Sequence, residues 1–173
     1  MVITQADPQD FEELMNLYYA ACDALHQKDF FPDSHQGVFP TEEMVRKAMT
    51  QGQQFVGIED ARLACAYILN YDCDPAYAAA PWTVEAKQGE YAVLHALRVL
   101  PDYVGNGFSK KLIQHALDTA RSWGVKSVRL DVMEGNSAEE LYRACGFTPV
   151  DTVEITYPDI GLPIRFRLLE CAL

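Results

Sequence analysis

Residues 97–112 read LRVLPDYVGNGFSKKL, and the architecture follows from them. Upstream, EYAVLHALRVL (90–100) has the apolar, β-rich character of a strand, which ends at Pro101. Downstream, GFSKKLIQHALDTARSW (107–123) sets Phe108, Leu112, Ile113, Ala116, Leu117 and Ala120 on one stripe of a helix, and Gly124 stands where a helix is closed by glycine. SVRLDVM (127–133) is a second strand. Strand, long helix, strand is a β-α-β unit, and a crossover of that length makes the two strands parallel. Between strand and helix, Gly105 and Gly107 allow a ligand to approach the backbone closely, while the first-turn amides and the helix dipole attract negative charge. Lys110 and Lys111 stand in that first turn, where the dipole disfavours cations; a bound phosphate removes the conflict. Taken alone, the G-x-G turn reads equally as a structural tight turn.

Outward from this unit the remaining elements are short and ordered. VIT (2–4) is a strand; Asp7 caps, and Pro8 opens, a helix carrying Phe11, Leu14, Leu17, Tyr18, Cys22 and Leu25 at helical spacing. Thr41 starts a helix over EEMVRKAMTQG, and QQFVGIE and LACAYILNY form a hairpin about a turn at Asp60–Arg62. A short helix spans Asn136–Cys145, closed by Gly146, and strands follow near 147–156 and 164–171. The order β-α-α-β-β-β-α-β-α-β-β predicts an α/β fold: a mixed, mostly antiparallel sheet with helices on both faces, as a single domain over 1–173. FFPDSHQGVFP (30–40) and YDCDPAYAAAPWTVEAKQG (71–89) read as loops within it.

Composition narrows the function. The chain is 49% hydrophobic and 23% charged, an ordinary globular profile. It carries 25 acidic and 14 basic residues, with 15 acidic and 5 basic before residue 98. Such acidity repels phosphate backbones, so no nucleic-acid partner is expected, whereas a cationic small molecule is welcome. No stretch approaches the about 18 apolar residues that span a bilayer, and MVITQADPQD lacks the pattern of a signal peptide. Cys22, Cys65, Cys73, Cys145 and Cys171 are odd in number and lack zinc-like spacing. Reduced thiols and a cytoplasmic location with no membrane partner are the expectation.

The dinucleotide fingerprint G-x-G-x-x-G fails here, because Lys110 occupies the third glycine position and the unit lies late in the chain. Val104-Gly105-Asn106-Gly107-Phe108-Ser109 instead resembles the pyrophosphate motif of the GCN5-related N-acetyltransferases (GNAT), Q/R-x-x-G-x-G/A at the start of the third helix. Val104 and Ser109 depart from that pattern. Asn136-Ser137-Ala138-Glu139-Glu140-Leu141-Tyr142 followed by Gly146-Phe147 is similar to a second family signature, N-x-x-A-x-x-L-Y-x-x-x-G-F, with the asparagine one residue closer to Ala138. The close resemblance covers roughly residues 90–150.

The resemblance implies acetyl transfer from acetyl-coenzyme A to an amine acceptor, with no metal. Val104, Gly105, Asn106, Gly107, Phe108, Ser109 and Lys110 would then hold the pyrophosphate, and Asn136 would lie near the pantetheine arm. The main chain of Leu97, Arg98 and Val99 would pair with that arm, the Val99 amide facing the thioester oxygen. Tyr142 is implied as general acid, also touching the cofactor. His95 is a candidate general base, since an imidazole near its ordinary pKa of about 6.5 accepts a proton at neutral pH; LHALRV around it looks like the matching strand of arylalkylamine N-acetyltransferases. Both aromatic side chains read alternatively as packing.

For the acceptor pocket the resemblance points to FFPDSHQGVF, YDCDPAYAAAPW and TYPDIGLP. Phe30, Phe31, Phe39, Tyr71, Trp82 and Tyr157 could form a wall, with Asp33, Asp72 and Asp74 to meet an ammonium. His26, His35 and His115 make no metal pattern. A small-molecule amine is the leading acceptor. A peptide or protein amine, and a non-catalytic acyl-coenzyme A-binding regulatory domain, remain open, as does a homodimer paired through residues 147–171.

Overall fold

The computed structural model describes residues 1–26, 39–156 and 163–173. Among the described residues, four α-helices and seven strands follow the predicted order: β1 (Val2–Gln5), α1 (Phe11–His26), α2 (Glu42–Thr50), β2 (Gln54–Glu59), β3 (Arg62–Asn70), β4 (Tyr91–Val99), α3 (Phe108–Ser122), β5 (Ser127–Met133), α4 (Ala138–Ala144), β6 (Thr148–Thr156) and β7 (Pro163–Ala172). The strands form one mixed sheet in the order β1-β2-β3-β4-β5-β7-β6. Its parallel pair is β4 with β5, joined by the α3 crossover, and its antiparallel pairs include β1–β2, β2–β3, β5–β7 and β6–β7.

Contacts divide the chain into two units, one of residues 1–69 and 95–112, the other of 70–94 and 113–173. In the first, Asp7 caps a 3-10 turn at Pro8–Asp10 that leads into α1, its side chain accepting from the Gln9 amide at 2.9 Å. Thr41 caps α2 through the Met44 amide at 3.1 Å. Phe11, Leu14, Met15, Leu17 and Tyr18 of α1 pack with Val45 and Ala48 of α2 and with Val56, Leu63, Ala66, Ile68 and Ala96 from the strands. Burial of this apolar set is the main stabilising contribution, at about 25 cal/mol per Å² removed from water. Phe39, expected in the acceptor wall, packs against this cluster.

One polar group enters that core. Gln54 is 1% exposed, and its carboxamide nitrogen donates to the Tyr18 hydroxyl (3.0 Å) and to the Tyr67 carbonyl (2.9 Å). Burial raises the Tyr18 phenol well above its ordinary pKa, although the Gln54 bond and the positive charge of Arg98 pull the other way.

In the second unit residues 71–89 connect β3 to β4 as the loop reading expects, with one regular piece added. A 3-10 turn at Pro75–Ala79 lies inside the loop, capped by Asp74 through the Ala76 amide at 2.8 Å. Tyr77 is buried with Tyr91, Val93 and Leu168, and its hydroxyl donates to Asp131 at 2.8 Å. The segment carries core residues, which loop composition alone does not reveal. Trp82 donates its indole N–H to the Tyr77 carbonyl at 2.8 Å, and Tyr71 packs on Trp123 with ring centroids 5.5 Å apart.

Candidate active site

In the first unit the site begins on β4. Ala96 has φ +49° and is 5% exposed, a left-handed conformation that costs an alanine about 1 kcal/mol and that persists because the core around it fixes it. β4 pairs with β5 from Tyr91↔Ser127 to Val93↔Arg129. Beyond the kink, Leu97, Arg98 and Val99 are half-buried, and the Leu97 carbonyl accepts from Nη1 of Arg98 at 2.9 Å. The Leu100 amide then ties to the Ala64 carbonyl at 2.9 Å. His95, immediately before the kink, is half-buried and engaged in contacts.

A 3-10 turn at Pro101–Tyr103 ends β4, and Gly105 (φ +88°) and Gly107 (φ +75°) carry the chain into α3. Nothing lies within 4 Å of where a Cβ would stand at either glycine, so the positive φ, not lack of room, calls for them. The first helical bond runs from the Lys111 amide to the Gly107 carbonyl at 3.2 Å. Hence the amides of Phe108, Ser109 and Lys110 have no acceptor inside the helix, and they directly follow the exposed loop Val104–Gly107. Phe108 anchors the turn: it is 6% exposed and stacks on Tyr103 at 5.6 Å, with the Lys111 ammonium 5.5 Å from its ring. Lys110 is exposed.

In the second unit, α4 carries Asn136 at its entrance and Tyr142 in its last turn. The helix starts at Ala138 rather than Asn136, and the Asn136 side-chain oxygen accepts from the Ala138 amide at 2.8 Å just ahead of it. The Tyr142 ring is half-buried, edge-on to Phe147 at 5.7 Å and 68°. Its carbonyl receives the amides of Cys145 and Phe147, with Gly146 at φ +97° closing the helix.

The first unit therefore gathers His95, Leu97, Arg98, Val99 and the 104–110 loop, and the second gathers Asn136 and Tyr142. Of the expected acceptor wall, Trp82 and Asp74 have the structural partners described above; Phe30, Phe31, Asp33 and Tyr157 lie outside the described residues. No group of three or more metal-ligating side chains occurs among the described residues.

A buried ion pair was not anticipated. Arg129 and Glu170 are 3% and 1% exposed, and the arginine lies 4.3 Å from the Trp82 ring centroid and 3.9 Å from that of Tyr91. The Glu170 carboxylate accepts from Thr83, Val84, Ser127 and Arg129. Burial by itself raises the Glu170 pKa, but those hydrogen bonds outweigh it and hold the carboxyl below its ordinary range. Charged residues inside the apolar runs SVRLDVM and FRLLECAL were the available signal.

The fourth strand, turned at Ala96, thus leads through the glycine turn to a helix whose first three amides lack helical acceptors. The family described as "Acetyltransferase (GNAT) family" matches residues 12–147, and the chain belongs to it. A [ribosomal protein bS18]-alanine N-acetyltransferase of Haemophilus influenzae is 39% identical over 67 residues, which is 39% of this chain and 46% of that protein. The chain thus matches about half the length of this curated relative. Among solved structures, a GNAT-family acetyltransferase of Streptococcus agalactiae superposes with a TM-score of 0.81 at 17% identity, covering 99% of this chain and 95% of that one. PaiA N-acetyltransferase of Thermoplasma acidophilum, solved with coenzyme A, gives 0.73 at 17% identity over 99% and 98% of the two chains. YncA of Salmonella typhimurium, solved with acetyl-CoA, gives 0.72 at 18% identity over 100% and 94%. These structures share the fold. No described helix is long and apolar enough to cross a membrane.

Proposed function

We propose that residues 1–173 act as one catalytic domain that transfers an acetyl group from acetyl-coenzyme A to the primary amine of a small molecule, directly, in a ternary complex. The observation that carries this reading is the loop Val104–Lys110, exposed from Val104 to Gly107 and followed by three helix-start amides that lack helical acceptors. It suits a pyrophosphate, and relatives of this fold were solved with coenzyme A or acetyl-CoA.

On this reading the amides of Gly105, Gly107, Phe108, Ser109 and Lys110 hold the pyrophosphate, with Val104 and Asn106 flanking it and the Lys110 ammonium adding charge. The Leu97–Val99 main chain binds the pantetheine arm, and the Val99 amide stabilises the oxyanion. His95 takes the proton of the ammonium, directly or through water, so that the amine can attack the thioester carbon. A C–N bond forms, the C–S bond breaks, and Tyr142 protonates the departing thiolate. Asn136 acts beside the arm through its amide group while its oxygen accepts from the Ala138 amide. Free cysteines among the described residues fit a cytoplasmic setting.

A second reading is favoured by one observation, the relative named for alanine of a ribosomal protein: the acceptor would then be a peptide amine. The test is thermal unfolding with and without acetyl-coenzyme A, followed by thiol release across small amines and amine-ended peptides. Stabilisation with release from small amines supports the proposal, and release from peptides alone supports the second reading. Stabilisation without any release points to a regulatory domain, and absence of stabilisation overturns all three.

A further inference from the structure

In a chain with 25 acidic residues, nearly every described arginine has a carboxylate. Arg46 meets Glu42 (3.7 Å), Arg121 meets Asp118 (2.8 Å), Arg129 meets Glu170 (2.9 Å), and Arg143 meets Glu139 (3.0 Å). Arg165 and Arg167 both meet Glu134, at 3.2 and 3.5 Å. Arg62 stands exposed at the β2–β3 turn, where water solvates it. Arg98 is the exception: it is half-buried, and among the described residues it forms no ion pair, its one hydrogen bond going to the neighbouring Leu97 carbonyl at 2.9 Å.

That bond occupies one of five N–H donors of a guanidinium built to grip a carboxylate with two parallel bonds. With one donor spent on its neighbour and no anion beside it among the described residues, the half-buried guanidinium keeps its other donors open to a carboxylate supplied from outside. Among the described residues, nearby groups do not supply one. The Arg98 charge is felt by the Tyr18 hydroxyl on α1, which is neutral and already bonded to Gln54 at 3.3 Å. The coenzyme's pyrophosphate has its own cradle in the 104–110 loop. Arg98 also stands between Leu97 and Val99, the residues whose main chain the proposed function assigns to the reacting thioester.

We propose that Arg98 is a specificity-determining residue that binds a carboxylate of the acceptor, so that the substrate class is small amines that also bear a carboxylate, as amino acids do. This rests on the proposed acetyl transfer. An α-amino acid separates its amine from its carboxylate by one carbon, so a carboxylate held at Arg98 keeps the amine beside the same short stretch of β4.

The experiment measures thiol release from acetyl-coenzyme A with matched pairs of amines, each amino acid against the amine left on removing its carboxylate. It uses the wild type, Arg98→Gln and Arg98→Lys. The wild type should favour the carboxylated member by at least about tenfold in kcat/KM, Arg98→Gln should bring that ratio close to one whatever its absolute rates, and Arg98→Lys should retain part of it. Equal use of both members by the wild type, with thiol released, overturns this inference and leaves acetyl transfer standing. A ratio unchanged in Arg98→Gln, with only the KM for acetyl-coenzyme A raised, also overturns it and assigns Arg98 to a coenzyme phosphate. Release from no amine at all, with the coenzyme bound, overturns the catalytic reading and this inference together.

Discussion

Arg129 and Glu170 stand directly opposite each other in the antiparallel β5–β7 pair, and the guanidinium Nε meets the carboxylate at 2.9 Å with both side chains removed from solvent. The same carboxylate holds the amides of Thr83 and Val84, at 2.9 and 3.0 Å. One buried charge thereby pins the segment between β3 and β4 to the sheet.

Glu170→Gln should destabilise the fold by about 3–5 kcal/mol, because it leaves the Arg129 charge buried without its counter-ion. Chemical denaturation at neutral pH measures this. Since the folded carboxyl lies below its ordinary range, its stabilising effect is complete above the unfolded value of about 4.3 and is lost as pH falls through the folded one. The wild type should therefore lose stability in acid more steeply than Glu170→Gln; equal slopes would show that the pair does not drive acid unfolding.

Tyr18→Phe removes the hydroxyl that meets Gln54 in the core and should cost about 1–3 kcal/mol. The folded phenol titrates above its ordinary value of about 10. Stability from the neutral phenol is thus complete below that pH and is lost as pH rises towards the folded value. Unfolding midpoints measured into the alkaline range should fall less steeply for Tyr18→Phe than for the wild type.

Gly105→Val should weaken coenzyme A binding at least about tenfold while leaving the fold intact, since the loop is exposed and the substitution strains a backbone held at φ +88°. Titration calorimetry with coenzyme A gives the number. Undiminished affinity would remove the pyrophosphate from this loop.

Tyr142→Phe keeps the ring that packs on Phe147 and deletes only the hydroxyl. Turnover should fall about 10²-fold or more, with the affinity for acetyl-coenzyme A changed little. Steady-state kinetics beside direct binding separates the two, and an equal loss in both would assign the hydroxyl to cofactor binding instead.

The periodic parts of the fold were legible in the sequence. The apolar stripe of α3, the Asp7 and Thr41 caps and the glycine after α3 are local signals, and each stands within a few residues of its expected place. Residues 71–89 read as a loop and are one, but their anchoring is not legible, because Tyr77, Trp82 and Thr83 find their partners on β5 and β7, far along the chain, and no local pattern carries that information. The kink at Ala96 was equally hidden: alanine announces no left-handed φ, and only the surrounding core imposes it.

Gly105 and Gly107 have empty space on the side where a Cβ would stand, yet both turn through φ angles that natural amino acids avoid. What the loop selects at these two positions is handedness rather than bulk. A change of residue there is resisted by the chirality of the chain itself, so even the smallest chiral residue, alanine, meets a barrier, and enlarging the loop does not remove it.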